Sequence, residues 1–515
     1  MRPNIIIVMT DQQRYDLRKA VGFPLDTMPF LDAWSKGGVD FTKAYTSNPT
    51  CMPARVSMLT GRYSESHHVR TNHNVSDVTY TLDLLDILKK EGYATALCGK
   101  NHAHRAAGDY DYHDINGHLG ADEPHRLQAH EQQLDDFLKS LNFIDSLEPS
   151  PGDFTAQLPY RNVTSTLNFI DNATEQRKPF FAWLSFAEPH NPYQVPEPYF
   201  SLFPPETLPS LATSKEDLQK KGEKFIWLRK IWEKVLGSTI ESRIQRDRSN
   251  YLGMLRLIDD QFKRLVTGLE ERGILDNTII IFLSDHGDFM GEYGLVRKGP
   301  DLPDVLTHIP MVWKGPGIVS QGRLSDYFVN IVDIFPTLCD ILGVEIPFGV
   351  QGKSIKTILE KSVSFEQKEF AVTYAESGFS GLYWNDLDDL TVQQEKACQN
   401  WDTFDCLNSW TQSGQIRMLC KGSYKIQVDM MGTGFLYNLD HDPMEVSNLW
   451  DDESYNAIKL DMLTELTAAI LRACDPIPAP HNRYRTKLHP KGYWFDTMWH
   501  ASDPSVKQIP MNISS

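Results

Sequence analysis

The amino-acid sequence predicts an α/β protein. We expect a large mixed, mostly parallel β-sheet flanked by helices, and a smaller C-terminal domain with a short antiparallel sheet and one helix. Continuous apolar runs at 4–10, 179–186 and 278–284 are typical of strands that are buried on both faces of a sheet covered by helices. Amphipathic periodicity at 81–91 and 254–272 predicts two of those helices.

The remaining elements follow in chain order. A helix is expected to begin at the Cys51 stretch, and a long loop, with some helix near 130–141, is expected between 104 and 152. Residues 204–250 are charged and helix-prone, without recognisable chemistry. The other predicted elements are a short helix and strand within 26–45, strands at 93–98 and 309–313, and a helix that begins at 333.

Length and composition allow two domains. With 515 residues, of which 41% are hydrophobic and 23% charged, the chain can form one large and one smaller globular domain. The pattern changes near residue 370 to short strand-like runs and a helix at 455–474. We therefore place a catalytic α/β domain at 1–370 and a smaller α+β domain at 371–515, whose tail from 475 is expected to wrap the surface.

Charge, cysteine content and the N-terminus limit the functional classes. The formal net charge of −17 argues against a nucleic-acid partner, and no apolar run reaches the length of a membrane span. The seven cysteines show neither a zinc pattern nor a disulfide framework. The first strand leaves no room for a signal peptide, which predicts a cytoplasmic protein, or a periplasmic or secreted one if an export signal has been removed.

The stretch T-C-M-P-A-R at 50–55 predicts an anion-processing site. Pro53 suits the first turn of a helix, and Gly61 can end that helix. Cys51 would then lie at the helix N-terminus, where unpaired amides and the helix dipole favour an anion. Arg55 lies one helical turn further along the same face, so we expect its guanidinium to reach back towards residue 51.

Polar residues follow several of the predicted strands at once. In open α/β sheets, ligands bind at the carboxyl ends of the strands. The residues in question are Asp11 and Gln12, Lys100 and His102, His190, and Asp285 and His286, with Lys298 in a loop soon after. Together they supply oxygen ligands for a cation, donors for an anion and groups that can transfer protons.

Four further histidines lie in or near the long loop: His113, His118, His125 and His130. Their spacing fits no common zinc pattern. We interpret them as solvated loop residues, and a metal cluster formed by them is the less favoured alternative.

The string Cys-x-Pro-x-Arg, followed by Leu-Thr-Gly-Arg at 59–62, resembles the signature of the type I sulfatases, which are members of the alkaline phosphatase superfamily. Similar motifs follow in the order of that family, including Gly-Lys-x-His at 99–102, Pro-His-x-Pro-Tyr at 189–193 and Asp-Pro-x-Glu at 442–445. The resemblance implies that a formylglycine-generating enzyme converts Cys51 to formylglycine. It also implies a sulfuric ester hydrolase, for which sulfated carbohydrate is the preferred substrate class.

The resemblance also implies one divalent metal. Its ligands would be Asp11, Gln12, Asp285, His286 and an oxygen on residue 51, and oxygen-dominated sites favour Ca²⁺ or Mg²⁺. Ca²⁺ is the ion expected from the family. Gln12 and His286 stand where many members have Asp and Asn, however, and an imidazole ligand makes Mn²⁺ an alternative.

The implied mechanism is covalent. A hydroxyl of the hydrated formylglycine attacks sulfur with help from Asp285, His190 protonates the departing alcohol, and His102 takes the proton of the second hydroxyl. Lys100 and Lys298 stabilise charge on the sulfuryl oxygens, and Arg55 orients residue 51. Four residues beside these motifs are candidates for contacts with sugar hydroxyls or a carboxylate: Asn72, His73, His104 and Arg105.

Two alternatives stay open at this point. A phosphonate monoester or phosphodiester hydrolase of the same superfamily would also use formylglycine, and Gln12 and His286 suit that branch, although its members tend to lack the pair formed by Lys100 and His102. A catalytically silent binding protein would keep Cys51 as a thiol.

Overall fold

The computed structural model describes residues 2–121, 127–360, 368–380 and 414–474. It confirms the predicted α/β fold with a C-terminal antiparallel sheet. The strands are β1 Asn4–Thr10, β2 Val39–Phe41, β3 Ala44–Tyr45, β4 Ala94–Gly99, β5 Tyr112–Asp114, β6 Asn116–Gly117, β7 Gly120–Ala121, β8 Phe180–Ser185, β9 Thr278–Ser284, β10 Met311–Lys314, β11 Gly322–Leu324, β12 Val329–Asn330, β13 Val372–Ser377, β14 Ile416–Lys421, β15 Tyr424–Asp429 and β16 Gly434–Asn438. The helices are α1 Pro29–Trp34, α2 Cys51–Thr60, α3 Ser64–His67, α4 Leu84–Lys90, α5 Ala129–Leu141, α6 Leu158–Glu175, α7 Tyr199–Leu202, α8 Leu218–Lys221, α9 Glu223–Leu236, α10 Ile240–Glu271, α11 Asp304–Thr307, α12 Ile334–Leu342, α13 Lys356–Glu360 and α14 Asn456–Ala473.

The main sheet has eight strands in the order β11-β2-β10-β9-β1-β8-β4-β5. All neighbouring pairs are parallel except the two that β10 makes with β9 and β2. In the register, Thr10 pairs with Ser284, while Ser185 pairs with both Met9 and Gly99. Strands β1, β4, β8 and β9 therefore end level with one another, and the segments that follow them leave the sheet at one edge.

Helices cover both faces of this sheet. Ile5 and Ile7 of β1 pack in one cluster with residues of α2, α4 and α12, whereas Ile6 and Val8 pack in a second cluster with residues of α1, α6 and α10. This division follows from the alternation of side chains along a strand. Each fully buried large aliphatic side chain contributes about 1.5–3 kcal/mol to stability, so the two clusters hold β1 between its helical layers.

Two elements differ from the prediction. Helix α10 begins at Ile240, fourteen residues before the start at 254 that the apolar pattern indicated. Its first turns bury Ile240 and Ile244 in a separate apolar cluster with α9, between charged residues such as Arg243, which pairs with Asp145. The predicted loop after residue 104 contains strand β5, which extends the main sheet next to β4.

The C-terminal sheet is antiparallel, in the order β13-β14-β15-β16, and α14 packs against it through Met462 and Leu466. Buried Lys425 of β15 joins it to the rest of the chain, because its ammonium lies 2.8 Å from Glu445 and 3.3 Å from Asp304. The domain boundary at 370 stays a prediction. The predicted surface-wrapping tail from 475 lies outside the described residues.

The five described cysteines are free, while Cys398 and Cys406 lie outside the described residues. Among the helices of the described ranges, none combines the length and the apolar character that crossing a bilayer requires.

Candidate active site

Helix α2 presents Cys51 at its first position, as predicted. Thr50 precedes it in an extended conformation, and the helix ends at Gly61. Cys51 is fully buried. The amide of Met52 donates a hydrogen bond of 3.0 Å to Oδ1 of Asn72, so the Asn72 carbonyl, predicted as a substrate contact, caps this helix.

Arg55 binds the two carboxylates beside Cys51 rather than residue 51 itself. Its Nε donates to Asp285 at 2.9 Å and its Nη2 to Asp11 at 3.0 Å. Its Nη1 donates to Ser185 Oγ at 2.7 Å and to the carbonyl of Lys100 at 3.2 Å. With these donors in use, Arg55 positions residue 51 indirectly, by fixing the carboxylates on either side of it.

The remaining carboxylate oxygens and His286 converge on Cys51. Oδ1 of Asp11 lies 3.7 Å from Cys51 Sγ, and Nε2 of His286 lies 3.3 Å from the same sulfur. One ligand atom each from Asp11, Cys51, Asp285 and His286 falls within 4.8 Å of the others, and all four residues are buried. This is the most tightly gathered part of the predicted site.

These residues fit a divalent cation. His286 donates from Nδ1 to the carbonyl of Gly287 at 2.9 Å, which leaves the lone pair on Nε2, the nitrogen that faces the centre. Two carboxylates and one imidazole, with an oxygen in place of the Cys51 sulfur, form a donor set that Ca²⁺, Mg²⁺ or Mn²⁺ can accept.

Gln12, the remaining predicted ligand, lies at the edge of this cluster. Its Nε2 donates to Asp288 at 2.5 Å, and its Oε1 accepts from Lys298 at 3.2 Å. An amide oxygen has a second lone pair, so its role as a metal ligand stays a prediction. Asp288 was not among the predicted site residues. It also accepts from Tyr193 at 2.8 Å and so links the segment that carries His190 to Gln12.

Two lysines from different segments lie near residue 51, and Lys298 belongs to the loop between β9 and α11. Lys100, which follows β4, forms an ion pair with Asp11. Lys298 lies 3.7 Å from Cys51 Sγ and 3.3 Å from Nε2 of His190. Both lysines are buried. Fixed cations on two sides of residue 51 favour the binding of an anion there.

The cations and carboxylates set the protonation states. Burial and Asp11 act to raise the pKa of the Cys51 thiol, but Lys100 and Lys298 lower it below its ordinary value. Burial opposes the charge of Asp11 as well, yet Lys100 and Arg55 bring its pKa well below the usual range. The centre therefore stabilises negative charge at residues 11 and 51.

Three histidines form a cluster on the side of Lys298 and Lys100. The ring of His118 stacks on His190 with centroids 3.8 Å apart, and it meets His102 edge-on at 5.7 Å. Burial lowers the pKa of all three imidazoles well below the ordinary value, which keeps them neutral. The interpretation of His118 as a solvated loop residue is therefore wrong.

The other predicted substrate contacts have different surroundings. His104 lies 2.8 Å from Asp83, to which Arg105 donates two hydrogen bonds of 2.6 and 2.8 Å. Asp83 is the N-cap residue of α4, so these two side chains hold the start of that helix. His73 is exposed.

Comparison with known proteins supports a specific family. A family model described as Sulfatase matches residues 3–344. The chain is 30% identical over 390 residues to an arylsulfatase of Clostridium perfringens, an alignment that covers 70% of this chain and 79% of that protein.

Solved structures share the fold. A phosphonate monoester hydrolase of Agrobacterium radiobacter superposes with a TM-score of 0.74 at 24% identity, over 95% of this chain and 99% of the other. A structure solved in complex with its substrate D-glucosamine-2-N,6-O-disulfate superposes with a TM-score of 0.66 at 20% identity, over 93% of this chain and 100% of the other. With the family match, the identity to the arylsulfatase and this shared fold, the chain belongs to the sulfatase family of the alkaline phosphatase superfamily and is a sulfatase enzyme.

Proposed function

We propose that this protein hydrolyses sulfate monoesters of carbohydrates, and that it does so after Cys51 has been converted to formylglycine and one divalent metal ion has bound. The observation that carries the proposal is the position of Cys51. It lies at a helix N-terminus, inside a cluster of metal-ligand atoms that spans 4.8 Å, with Lys298 3.7 Å from its sulfur. A sulfate ester needs the same surroundings: a nucleophile, a cation and fixed donors for its oxygens.

Asp11, Asp285 and His286 would hold the metal, with Gln12 as a further oxygen ligand. The ion, expected to be Ca²⁺ with Mn²⁺ or Mg²⁺ as alternatives, supplies positive charge that acidifies a bound hydroxyl and neutralises sulfate oxygens. The hydrated aldehyde supplies one hydroxyl for attack and a second through which sulfate is expelled. Lys100 and Lys298 would donate to the sulfuryl oxygens, and His102 would accept the proton of the second hydroxyl.

The leaving group would receive its proton from His190, which would first take it from Lys298. Nδ1 of His190 lies 2.6 Å from the carbonyl of Asn191, an acceptor, so the proton of the neutral ring is on Nδ1. Nε2 then carries the lone pair and accepts from Lys298 at 3.3 Å. His190 can pass a proton to the departing oxygen only after Lys298 has supplied one. An alkoxide is a poor leaving group, so sugar esters need this step more than aryl esters do.

The carbohydrate part of the proposal is supported by the polar side chains of His102, His118 and Asn72 around the centre. One solved neighbour was obtained with a sulfated glucosamine as its substrate, although that likeness by itself extends only to the fold.

Three measurements test the proposal. Mass spectrometry of the peptide that contains Cys51, from protein produced together with a formylglycine-generating enzyme, should show the aldehyde. The modified protein should release sulfate from 4-nitrophenyl sulfate and from a panel of D-glucose, D-galactose and N-acetyl-D-glucosamine monosulfates. Cys51→Ser should stall after at most one turnover, because a serine sulfate has no second hydroxyl. Steady turnover by Cys51→Ser at the wild-type rate would refute the mechanism.

A phosphonate monoester or phosphodiester hydrolase is the second candidate. Gln12 and His286 favour it, and one solved neighbour of the same fold is a phosphonate monoester hydrolase. The presence of both Lys100 and His102 in the sequence favours the sulfatase. Rates measured side by side on 4-nitrophenyl sulfate and a 4-nitrophenyl phosphonate monoester separate the two, and a higher kcat/KM on the phosphonate would reverse our ranking.

A further inference from the structure

His118 lies at the tip of a hairpin that other segments hold in place. Strands β6 and β7 flank it as an antiparallel pair. The amide of Ala121 donates to Asp135 of α5 at 3.0 Å, and Nδ2 of Asn116 donates to Asn162 of α6 at 2.8 Å. The hairpin therefore places the His118 ring against His190 by anchors on both sides.

Packing alone does not account for an imidazole at this position. Nδ1 of His118 is enclosed and has no hydrogen-bond partner among the described residues. An enclosed polar atom without a partner costs about 1–3 kcal/mol, and a phenyl ring would stack on His190 without that cost. Violations of this kind are expected where a residue serves function rather than stability.

The other nitrogen is available to a ligand. No described residue bonds to Nε2 of His118, and this atom is not among the enclosed polar atoms without partners, so it is open to solvent. The ring as a whole is half-buried. An enclosed donor without a partner is rarer than an enclosed acceptor, which places the lone pair on Nδ1 and the proton on Nε2.

The neighbours of His118 define what this donor can reach. Its ring stacks on His190, which would contact the departing oxygen, and Lys298 lies on the far side of His190 Nε2. His118 thus stands beside the leaving-group side of the centre. A neutral N–H there suits an uncharged acceptor, such as a hydroxyl or ring oxygen of a sugar.

We propose that His118 is a further substrate-contacting residue, which donates a hydrogen bond from Nε2 to a sugar oxygen next to the scissile ester. This inference rests on the proposed function and deepens it, because it makes His118 a determinant of specificity for carbohydrate sulfates.

The test uses His118→Phe, which keeps the stacking and removes the donor, in the full-length, formylglycine-containing protein. Two probes are compared: the sugar monosulfate from the panel above that the wild type hydrolyses fastest, and cyclohexyl sulfate, an alkyl ester without neighbouring oxygens. Both need a proton on the leaving group, so a defect in His190 alone affects them equally. Each is measured by sulfate release and as a competitive inhibitor of 4-nitrophenyl sulfate hydrolysis, so that binding is compared even where turnover is slow.

We expect His118→Phe to lower kcat/KM for the sugar sulfate about tenfold and to weaken inhibition by it about tenfold, the usual effect of one lost hydrogen bond. Both quantities should change less than threefold for cyclohexyl sulfate. His441→Phe, at an exposed histidine, is the matched control and should behave as the wild type. If His118→Phe does not fold, His118→Gln and His118→Met allow the same comparison, since only Gln keeps a donor.

Equal losses of kcat/KM and of inhibition with both probes would make His118 a positioning residue and overturn the inference. Unchanged kcat/KM and inhibition for the sugar sulfate would also overturn it. A wild type that cleaves 4-nitrophenyl sulfate but no sugar sulfate also overturns it. A wild type with verified formylglycine that cleaves no sulfate ester at all refutes the proposed function instead, and the inference falls with it.

Discussion

Replacement of Arg55 tests whether the centre depends on a buried charge network. In Arg55→Met, Asp285 loses the cation bound to its Oδ2 and Asp11 keeps only Lys100, while the guanidinium and both carboxyl groups are fully buried in the wild type. Breaking a buried ion pair by removing one partner costs about 3–5 kcal/mol. We expect a loss of that size in metal-free protein, measured as the shift of the urea midpoint at an unchanged slope.

The design contains two checks. Arg272 makes a similar two-bond contact with Asp171 at the surface, at 2.6 and 2.8 Å, so Arg272→Met should cost at most about 1 kcal/mol. Adding Asp285→Asn to Arg55→Met should recover part of the stability, because the unpaired charge is then gone. A cost for Arg55→Met no larger than that of Arg272→Met, or no recovery in the double variant, would refute this reasoning.

Three further predictions follow from single sites. Gly99→Ala should abolish sulfate release and lower stability, since the backbone has a φ of 105° and a Cβ there would lie 1.9 Å from the carbonyl oxygen of Ser185; wild-type activity would contradict it. Burial raises the pKa of Glu188 to about 7, so the folded protein holds a proton that the unfolded chain releases above its pKa of 4.5, and stability should fall as the pH rises from about 4.5 to 7. Glu188→Gln should then stabilise the protein at pH 8, by at most about 3 kcal/mol in urea titrations, and leave it unchanged at pH 4; an equal effect at both pH values would contradict this. His286→Asn should raise the activity that Ca²⁺ restores after EDTA treatment relative to the activity that Mn²⁺ restores, because an amide oxygen replaces the imidazole, and an unchanged ratio would count against His286 as a ligand.

The main sheet was predictable from the sequence because its strands are buried on both faces. An apolar run such as 278–284 can bury the side chains on both of its faces only between two layers of helices. Strand β9 has the predicted bounds. Since parallel strands end at one edge, Asp11, Lys100 and Asp285 could be assigned to one site without knowledge of the strand order. The pattern of apolar residues was therefore enough to predict which strand ends meet at the centre.

The partners of individual side chains were not predictable in the same way. Spacing on a helix placed Arg55 on the face of Cys51, but the guanidinium binds the carboxylates that follow β1 and β9. These lie more than forty residues away in one direction and more than two hundred in the other. His104 and Arg105 stand next to a motif, yet both pair with Asp83, the N-cap residue of α4. Adjacency in sequence says little about where a long polar side chain finds its counter-charge.

His118 shows the limit most clearly, because its position depends on contacts that leave no local pattern. The hairpin that carries it has strands of two residues each, too short for any periodicity, and is held by Asp135 and Asn162, which belong to helices further along the chain. The same histidine in a solvated loop and in this hairpin would have the same neighbours in sequence. Only the stacking on His190 and an enclosed nitrogen without a partner distinguish the two, and both are properties of the folded molecule. An enclosed polar group that has no partner, and so adds nothing to stability, therefore indicates function better than the distance in sequence between a residue and known motifs does.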